Sequence, residues 1–348
     1  MGTTLGVGTD KGGWLLRSDD RRSWTVEGPF FTGWQVTAFG TTASGTYLAG
    51  TASGWFGPGV HRSTDLQEWT QVVDGPAFPA EDPTGTDPKV ERIWHFSTDP
   101  TGRIWCGVAQ AGLFTSDDDG ETWQPVEAYN THPTRPKWIP GAGGMCLHRV
   151  LTDDQRIWAA ASSIGVLRSD DGGASFQPAN RGVEGVDPDG ADDGIGTCVH
   201  AVVADPGDPD TIWRQDHSGV YRTTDGADSW QRIEQGLPAN FGFPIVRDPG
   251  SGALFVVPLE ADVNRTPVEG RFAAYRSTDG GESWQASGVG WPDKPTYDTV
   301  LRGAMAVDGD GGVYAGTTGG RLWATDDAGD SWHELPGTFP RIHAVAVL

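Results

Sequence analysis

Seven times along this 348-residue chain a short polar motif returns, closed each time by an aromatic residue. Five copies lie close to the form Ser/Thr-x-Asp-x-Gly-x-Ser/Thr-Trp: SDDDGETW (Ser116–Trp123), SDDGGASF (Ser169–Phe176), TTDGADSW (Thr223–Trp230), STDGGESW (Ser277–Trp284) and TDDAGDSW (Thr325–Trp332). Two shorter copies precede them, SDDRRSW (Ser18–Trp24) and STDLQEW (Ser63–Trp69), each lacking the glycine and one residue. The closing aromatics recur about every 50 residues, the period of an array in which each repeat is one small β-sheet. The pattern predicts an all-β chain: a seven-bladed β-propeller of four-stranded blades, in a single domain.

The repeat from Val199 to Trp230 illustrates the unit. VHAVVADP and TIWRQ read as strands, DHSG as a turn, VYRTTD as a third strand, and SWQRI as a fourth beyond the motif. Gly and Asp stand where a turn needs positive φ. The motif therefore belongs on the turn between third and fourth strands, its Ser/Thr and Asp bonding the backbone of that turn and its Trp packing between sheets. An aspartate repeated on every blade is a structural device, because catalysis needs asymmetry. Residues 1–27 supply only three strands, and RIHAVAVL (Arg341–Leu348) supplies the fourth, so the C-terminal strand is expected to join the N-terminal blade and remove the sheet edges of an open array. The expected blades are 1–27 with 341–348, 34–74, 92–127, 145–179, 197–234, 241–287 and 301–335.

Composition narrows the partners. With 47 acidic against 25 basic residues the net charge is −22, which disfavours nucleic acid and anionic membrane surfaces. The first residues run into a strand with no basic-then-apolar leader, and no apolar run has the length of a membrane span. Three cysteines, Cys106, Cys146 and Cys198, show no framework spacing. Together these predict a cytoplasmic protein with a reducing surrounding.

Long Gly/Pro-rich connections at Pro76–Glu91, Pro125–Gly144, Pro178–Gly196, Val257–Gly270 and Ala286–Val300 all enter first strands or link second to third strands, so they share one face, opposite the motif turns. At the same end, Trp94-His95-Phe96, Leu147-His148-Arg149, Val199-His200-Ala201 and Ile342-His343-Ala344 align as starts of innermost strands. Four imidazoles converging from rigid strands make His95, His148, His200 and His343 candidate ligands for a divalent transition metal (Fe, Zn, Cu or Ni). Hydrogen-bonded core histidines are the alternative. His217 or Asp216 is then the candidate fifth ligand or general base, and Arg149, Arg302 or Arg341 the candidate holder of an anionic group on a small-molecule substrate. The expectation is a metal-dependent enzyme on a small cytosolic molecule, its reaction open among hydrolase, lyase and oxygenase chemistry. Cys146 and Cys198, each two residues before a histidine, are read as small buried hydrophobes or thiolate ligands. The acidic run Asp187–Gly194 lacks the terminal Glu and spacing of an EF-hand loop.

The seven motifs resemble the Asp-box (BNR) repeat of sialidases, large xyloglucanases, the sortilin luminal domain and a photosystem II assembly factor. More narrowly, RIWHFSTDP, GMCLH, VHAVVADP, QDHSGVYRTTDGADSW and GLPANFGFPI resemble bacterial proteins labelled sialidase-like or BNR-repeat glycosyl hydrolases. The resemblance implies fold more than function. Sialidase chemistry implies an Arg-Ile-Pro motif near the N-terminus, which this chain lacks, and a Tyr–Glu nucleophile pair, for which only Tyr129 and Tyr297 lie in loops. A xyloglucanase-like carboxylate pair implies Asp293 or Asp298. The relatives that assemble other proteins imply a non-catalytic binding or assembly module, with Trp55, Phe56, Phe78, Trp138 and Trp291 as a surface for a protein partner.

Overall fold

The computed structural model describes residues 2–141, 143–186, 193–260 and 263–348. The acidic run at 187–192 lies outside them. The described chain forms two compact units, one of Met1–Val36, His200–Gly226 and Trp230–Leu348, the other of Thr37–Val199 with Ala227–Ser229. Each sheet below is assigned to the unit that holds most of it. Among the described residues no helix is long and apolar enough to cross a membrane.

The first unit holds two meanders of four antiparallel strands, Val199–Asp205, Asp208–Asp216, Gly219–Thr223, Gln231–Arg232 and then Phe241–Arg247, Leu254–Leu259, Tyr275–Ser277, Gln285–Ala286. Beside them runs an eight-stranded sheet in the order His333–Glu334, Leu322–Thr325, Val313–Thr317, Val300–Val307, Ile342–Val347, Thr3–Thr9, Gly12–Ser18, Thr25–Phe30. In strand pairing its two halves are joined by the parallel bridge Gly303↔Ala344, so it is two four-stranded sheets packed at their first strands. Ile342–Val347 pairs antiparallel with Thr3–Thr9, from Leu5↔Val347 to Thr9↔Ile342. The last strand thus completes the sheet of the first three.

The second unit holds three further meanders, beginning at Gln35–Thr41, Arg92–Thr98 and Leu147–Thr152 and ending at Thr70–Gln71, Gln124–Pro125 and Gln177–Pro178. Where neighbouring sheets pack, second-strand glycines admit the next first strand. A Cβ on Gly107 would stand 2.5 Å from the Leu147 carbonyl oxygen, and one on Gly316 would stand 2.5 Å from Ile342 Cγ2 in the first unit. Any larger side chain would wedge the sheets apart. The connection after Gln124–Pro125 differs from an open loop. It forms the short helix Glu127–Asn130 and the turn Arg135–Lys137, with Tyr129, Asn130 and Arg135 buried. Asn130 exchanges two hydrogen bonds with the backbone of Leu113, and Arg135 donates to the carbonyls of Ala111 and Gln110. Tyr129 and Trp138 then cap the sheet with their rings 5.6 Å apart.

The motif turns repeat one hydrogen-bond pattern. At Ser277–Trp284, Ser277 Oγ donates to Asp279 Oδ1 (2.7 Å) and accepts from the Gly281 amide (2.8 Å). Asp279 then accepts from the Ser283 amide (3.0 Å) and hydroxyl (2.6 Å). The copies at Asp118, Asp171 and Asp327 make the same bonds. Full-length copies place two successive residues at positive φ, as at Gly280 (73°) and Gly281 (96°). The two short copies place one, Arg21 (59°) and Leu66 (65°), which is why one residue fewer still closes the turn. Four of the closing tryptophans, Trp123, Trp230, Trp284 and Trp332, and Phe176 are buried, and truncating such a residue costs about 3–5 kcal/mol.

An arginine immediately before the motif reaches to the next motif. Arg62 donates to the Asp119 carbonyl and Glu121, Arg222 to the Gly280 carbonyl and Glu282, and Arg276 to the Ala328 carbonyl and Asp330. Arg168 pairs with Asp228 in the same way. The sequence carries this as Arg-Ser/Thr ahead of the motif and an acidic residue after its tip, a signal the sequence analysis passed over.

Two outcomes are expected. Deleting residues 342–348 leaves Thr3–Thr9 with an unpaired edge, so the truncated protein should aggregate or lose its cooperative melt, as read by calorimetry and size-exclusion chromatography. The second concerns acid. Hydrogen bonds from the Ser283 hydroxyl and amide, and from Ser277, hold Asp279 down at about 2; the Ser175 hydroxyl and amide do the same for Asp171. A carboxylate whose folded pKa lies below its unfolded value near ~4 stabilises the fold above that pH, and the gain is lost as pH falls toward about 2. The double variant Asp171→Asn, Asp279→Asn should melt lower at pH 7, and its melting temperature should fall less than the parent's between pH 4 and 2.

Candidate functional site

First strands start, and second strands end, at one end of each sheet, as the pairs Phe241↔Leu259 and Leu147↔Ala161 fix. The aligned histidines stand at this end, and three of these strand starts carry β-bulges. Leu147 pairs with Ala161 and Arg149 with Ala160, so His148 is the extra residue. Gly8 pairs with Ala344 and Thr9 with Ile342, which makes His343 the extra residue of its strand. Ile93 pairs with Val108 and His95 with Gly107, so the extra residue there is Trp94. Bulges re-aim side chains at the ends of sheets, and here they fix a different equivalence from the one expected: Trp94, not His95, stands where His148 and His343 stand. His95 corresponds instead to Arg149 and Ala344.

Each histidine has its own surroundings. His95 is held down to about 3 by burial and by the Arg149 guanidinium, against a hydrogen bond with the Val150 backbone. His148 is buried, its ring edge-on to Trp94 at 5.1 Å. His343 Nε2 lies 2.6 Å from Asp10 Oδ1, which also accepts from Gln35 (3.0 Å). His200 is buried, and its Nδ1 lies 2.6 Å from the Gly242 carbonyl. That carbonyl can only accept, so Nδ1 carries the proton and Nε2 keeps its lone pair. Burial, then the charge of Arg302, keeps this imidazole neutral well below the ordinary histidine range. His217 is exposed, with its ring 6.0 Å from that of His200.

The remaining candidates divide. Asp216 is buried and bound by Arg214, itself fully buried, and also accepts from Ser218; as the pair stands, its carboxylate is taken up in structure. Arg341 is exposed and contributes its backbone carbonyl to the Asp10 amide. Asp298 is buried against Arg321, while Asp293 is exposed. Of the aromatics expected at a partner surface, Trp138 is buried, Trp291 packs on Trp332 at 4.6 Å, and Phe78 packs on Phe114 at 5.2 Å. Trp55 (94% exposed) and Phe56 (77%) are the two that face solvent, at the tip between Tyr47–Ser53 and Gly57–Ser63.

One arrangement recurs in both units. In the second, the Arg92 guanidinium lies over Trp94 (5.3 Å), whose ring meets His148 (5.1 Å). In the first, Arg302 lies over Phe243 (4.6 Å), whose ring meets His200 (4.9 Å). An arginine, an aromatic face and an imidazole together offer donors at the edge of an apolar plate, the mixture that small-molecule sites use. Arg92, Trp94 and Phe243 were not singled out by sequence, because only a bulge or a ring contact brings them to this end.

The model of the BNR/Asp-box repeat matches residues 114–125 and 275–286. A xyloglucanase from a Paenibacillus species is 24% identical over 259 residues, which is 65% of this chain and 24% of that protein. The chain thus spans about a quarter of the length of that curated relative. The crystal structure of the GH74 xyloglucanase from Xanthomonas campestris superposes with a TM-score of 0.65 at 17% identity, covering 95% of this chain and 52% of that one. YCF48 from Cyanidioschyzon merolae superposes with a TM-score of 0.55 at 14% identity, covering 88% of this chain and 87% of that one. The chain carries Asp-box repeats, and its four-stranded sheets follow the fold of these neighbours.

Proposed function

We propose that the strand-start end of these sheets binds a carbohydrate-class small molecule, in the manner of a glycoside-hydrolase-type propeller. The observation that carries the reading is the repeated stack of arginine, aromatic ring and histidine at that end. A sugar presents a C–H face and a rim of hydroxyls. Trp94, half-buried, suits the face, and the Arg92 guanidinium beside it suits the rim, while Phe243 is buried beneath its neighbours. The likeness to xyloglucanases supports the substrate class. Hydrolysis would need two working carboxylates; Asp298 is bound to Arg321 and Asp293 is exposed, so the reading put forward is of recognition.

A second reading is a metal-dependent enzyme with a divalent transition metal on Cys198, His200 and His217, whose ligand atoms lie within 4.8 Å of one another, in place of the expected set of His95, His148, His200 and His343. It is supported by the hydrogen bond that fixes the His200 tautomer, the usual outer partner of a ligating imidazole. His343, set against Asp10, falls outside that group.

Two measurements separate the readings. In titration calorimetry a β-glucan oligosaccharide should bind, and Trp94→Ala should weaken it about tenfold or more while the melting temperature holds. Absence of heat with any neutral or acidic oligosaccharide would remove the carbohydrate reading. Metal analysis of protein purified without a histidine tag tests the other: under about a tenth of an equivalent, with no rise on reconstitution, ends the metal reading.

A further inference from the structure

The arginine link between successive motifs is incomplete at a seam inside the second unit. At three seams the fourth residue of a motif, Asp119, Gly280 or Ala328, gives its carbonyl to the arginine standing ahead of the preceding motif. Two residues further on, Glu121, Glu282 or Asp330 accepts from the same guanidinium. In the motif Ser169–Phe176 these two positions are Gly172 and Ala174, and the residue ahead of the preceding motif is Thr115. Arginine and acid are both replaced. A further donor is turned away. Trp213, paired with Arg222, donates to the Gly280 carbonyl at 2.8 Å, whereas its counterpart Trp105, paired with Thr115, donates to Asp99 at 2.9 Å.

The tip itself keeps its shape. Gly172 and Gly173 have φ of 69° and 95°, against 73° and 96° at Gly280 and Gly281. Ser169 Oγ accepts from the Gly173 amide at 2.8 Å, as Ser277 Oγ does from Gly281. The Gly172 carbonyl is thus presented as the Gly280 carbonyl is, yet among the described residues no hydrogen-bond donor reaches it. A cleft of about 520 Å³ lies there, with Thr115, Val126, Glu127, Gly172 and Ala174 in its lining. Gly172, Ala174 and Glu127 are exposed, Thr115 and Val126 half-buried. Glu127 makes no ion pair among the described residues. The cation already in the cleft, Arg103, is held by both oxygens of Asp117 at 2.7 and 3.0 Å.

An acceptor that elsewhere takes a guanidinium, an unpaired carboxylate in the same cleft and a net charge of −22 together select a cation. A guanidinium suits them better than an ammonium, because its planar fork serves a carbonyl and a carboxylate at once, as the complete links do. The cleft is larger than one such group, and Val126 offers apolar cover to the stem behind it. We propose that this seam docks an arginine side chain of a partner protein, its guanidinium taking the Gly172 carbonyl and the Glu127 carboxylate in place of the missing link. The site uses none of the residues of the carbohydrate reading.

The test is calorimetric titration of the full chain with an acetylated and amidated alanine–arginine–alanine peptide, with its citrulline and lysine counterparts, and with free arginine. The arginine peptide should bind at least about fivefold tighter than the citrulline peptide, and salt should weaken it. Ala174→Glu restores the acid of the other tips at an exposed position and should tighten binding at least about twofold. Adding Thr115→Arg to that variant completes the link within the chain, and should abolish binding while raising the melting temperature. A citrulline or lysine peptide that matches the arginine peptide would overturn the proposal. Free arginine binding as tightly as the peptide would also overturn it, since the ligand would then be a small molecule. The same holds for a double variant that binds as the parent does, and for an absence of heat with all four ligands. If the double variant does not fold, the single variants decide: Ala174→Glu must strengthen and Glu127→Gln must weaken the arginine peptide, and no change in either ends the proposal.

Discussion

Everything in this molecule hangs on a carboxylate satisfied by its own turn. The aspartates at 118, 171, 279 and 327 take up hydrogen bonds from the amide and hydroxyl four residues on, and Asp20 and Asp65 of the short copies from amides two and three residues on, which fixes the tip of a hairpin that has almost no fourth strand to hold it. The fixed tip presents a carbonyl and an acidic side chain outward, and the arginine ahead of the previous motif grips both. The closing tryptophan then fills the space beneath; Trp284 Nε1 donates to the Ile233 carbonyl of the preceding sheet at 2.7 Å. Turn, clasp and wedge are one device. A surface ion pair such as Arg222–Glu282 contributes little alone, about 0–1 kcal/mol. Repeated, and combined with a buried aromatic, it sets the spacing of one sheet from the next.

The turn and the wedge were legible in the sequence and the arginine clasp was not, since turn chemistry and an aromatic period leave marks that survive without any knowledge of pairing. The short copies at Asp20 and Asp65 were legible too, and Arg21 and Leu66 show how they work with one residue fewer. The register at the strand starts was not legible. A bulge adds one unpaired residue and shifts every side chain beyond it to the other face, and nothing in WHF, LHR or IHA distinguishes a bulged histidine from a paired one. His95 was therefore matched to His148 and His343 when Trp94 is their counterpart.

The aromatic loops misled for a related reason. Trp138 and Trp291 sit in long polar connections, which reads as exposure, yet both turn inward, Trp138 onto Tyr129 and Arg135, and Trp291 onto Trp332 and Phe272. Polar composition says that a connection can face water, not that its large side chains do. The site candidates divided along the same line. His200 and Arg302 came together as neighbours of Phe243, while Asp216 was absorbed by the scaffold through Arg214, because a charged group near a sheet end meets other charged groups there as readily as it meets a ligand.

The pairing of Ile342–Val347 with Thr3–Thr9 has a consequence for how the chain is made. The first three strands are made long before Ile342–Val347, and until that strand emerges their sheet lacks its innermost member. In that interval Thr3–Thr9 offers a free row of amides and carbonyls, and any strand emerging sooner is a rival for it. The outcome of that competition depends on Ile342–Val347 arriving in the correct register, a contact of long sequence separation. The protein's vulnerability is thus greatest while that strand is still awaited, not after it has folded.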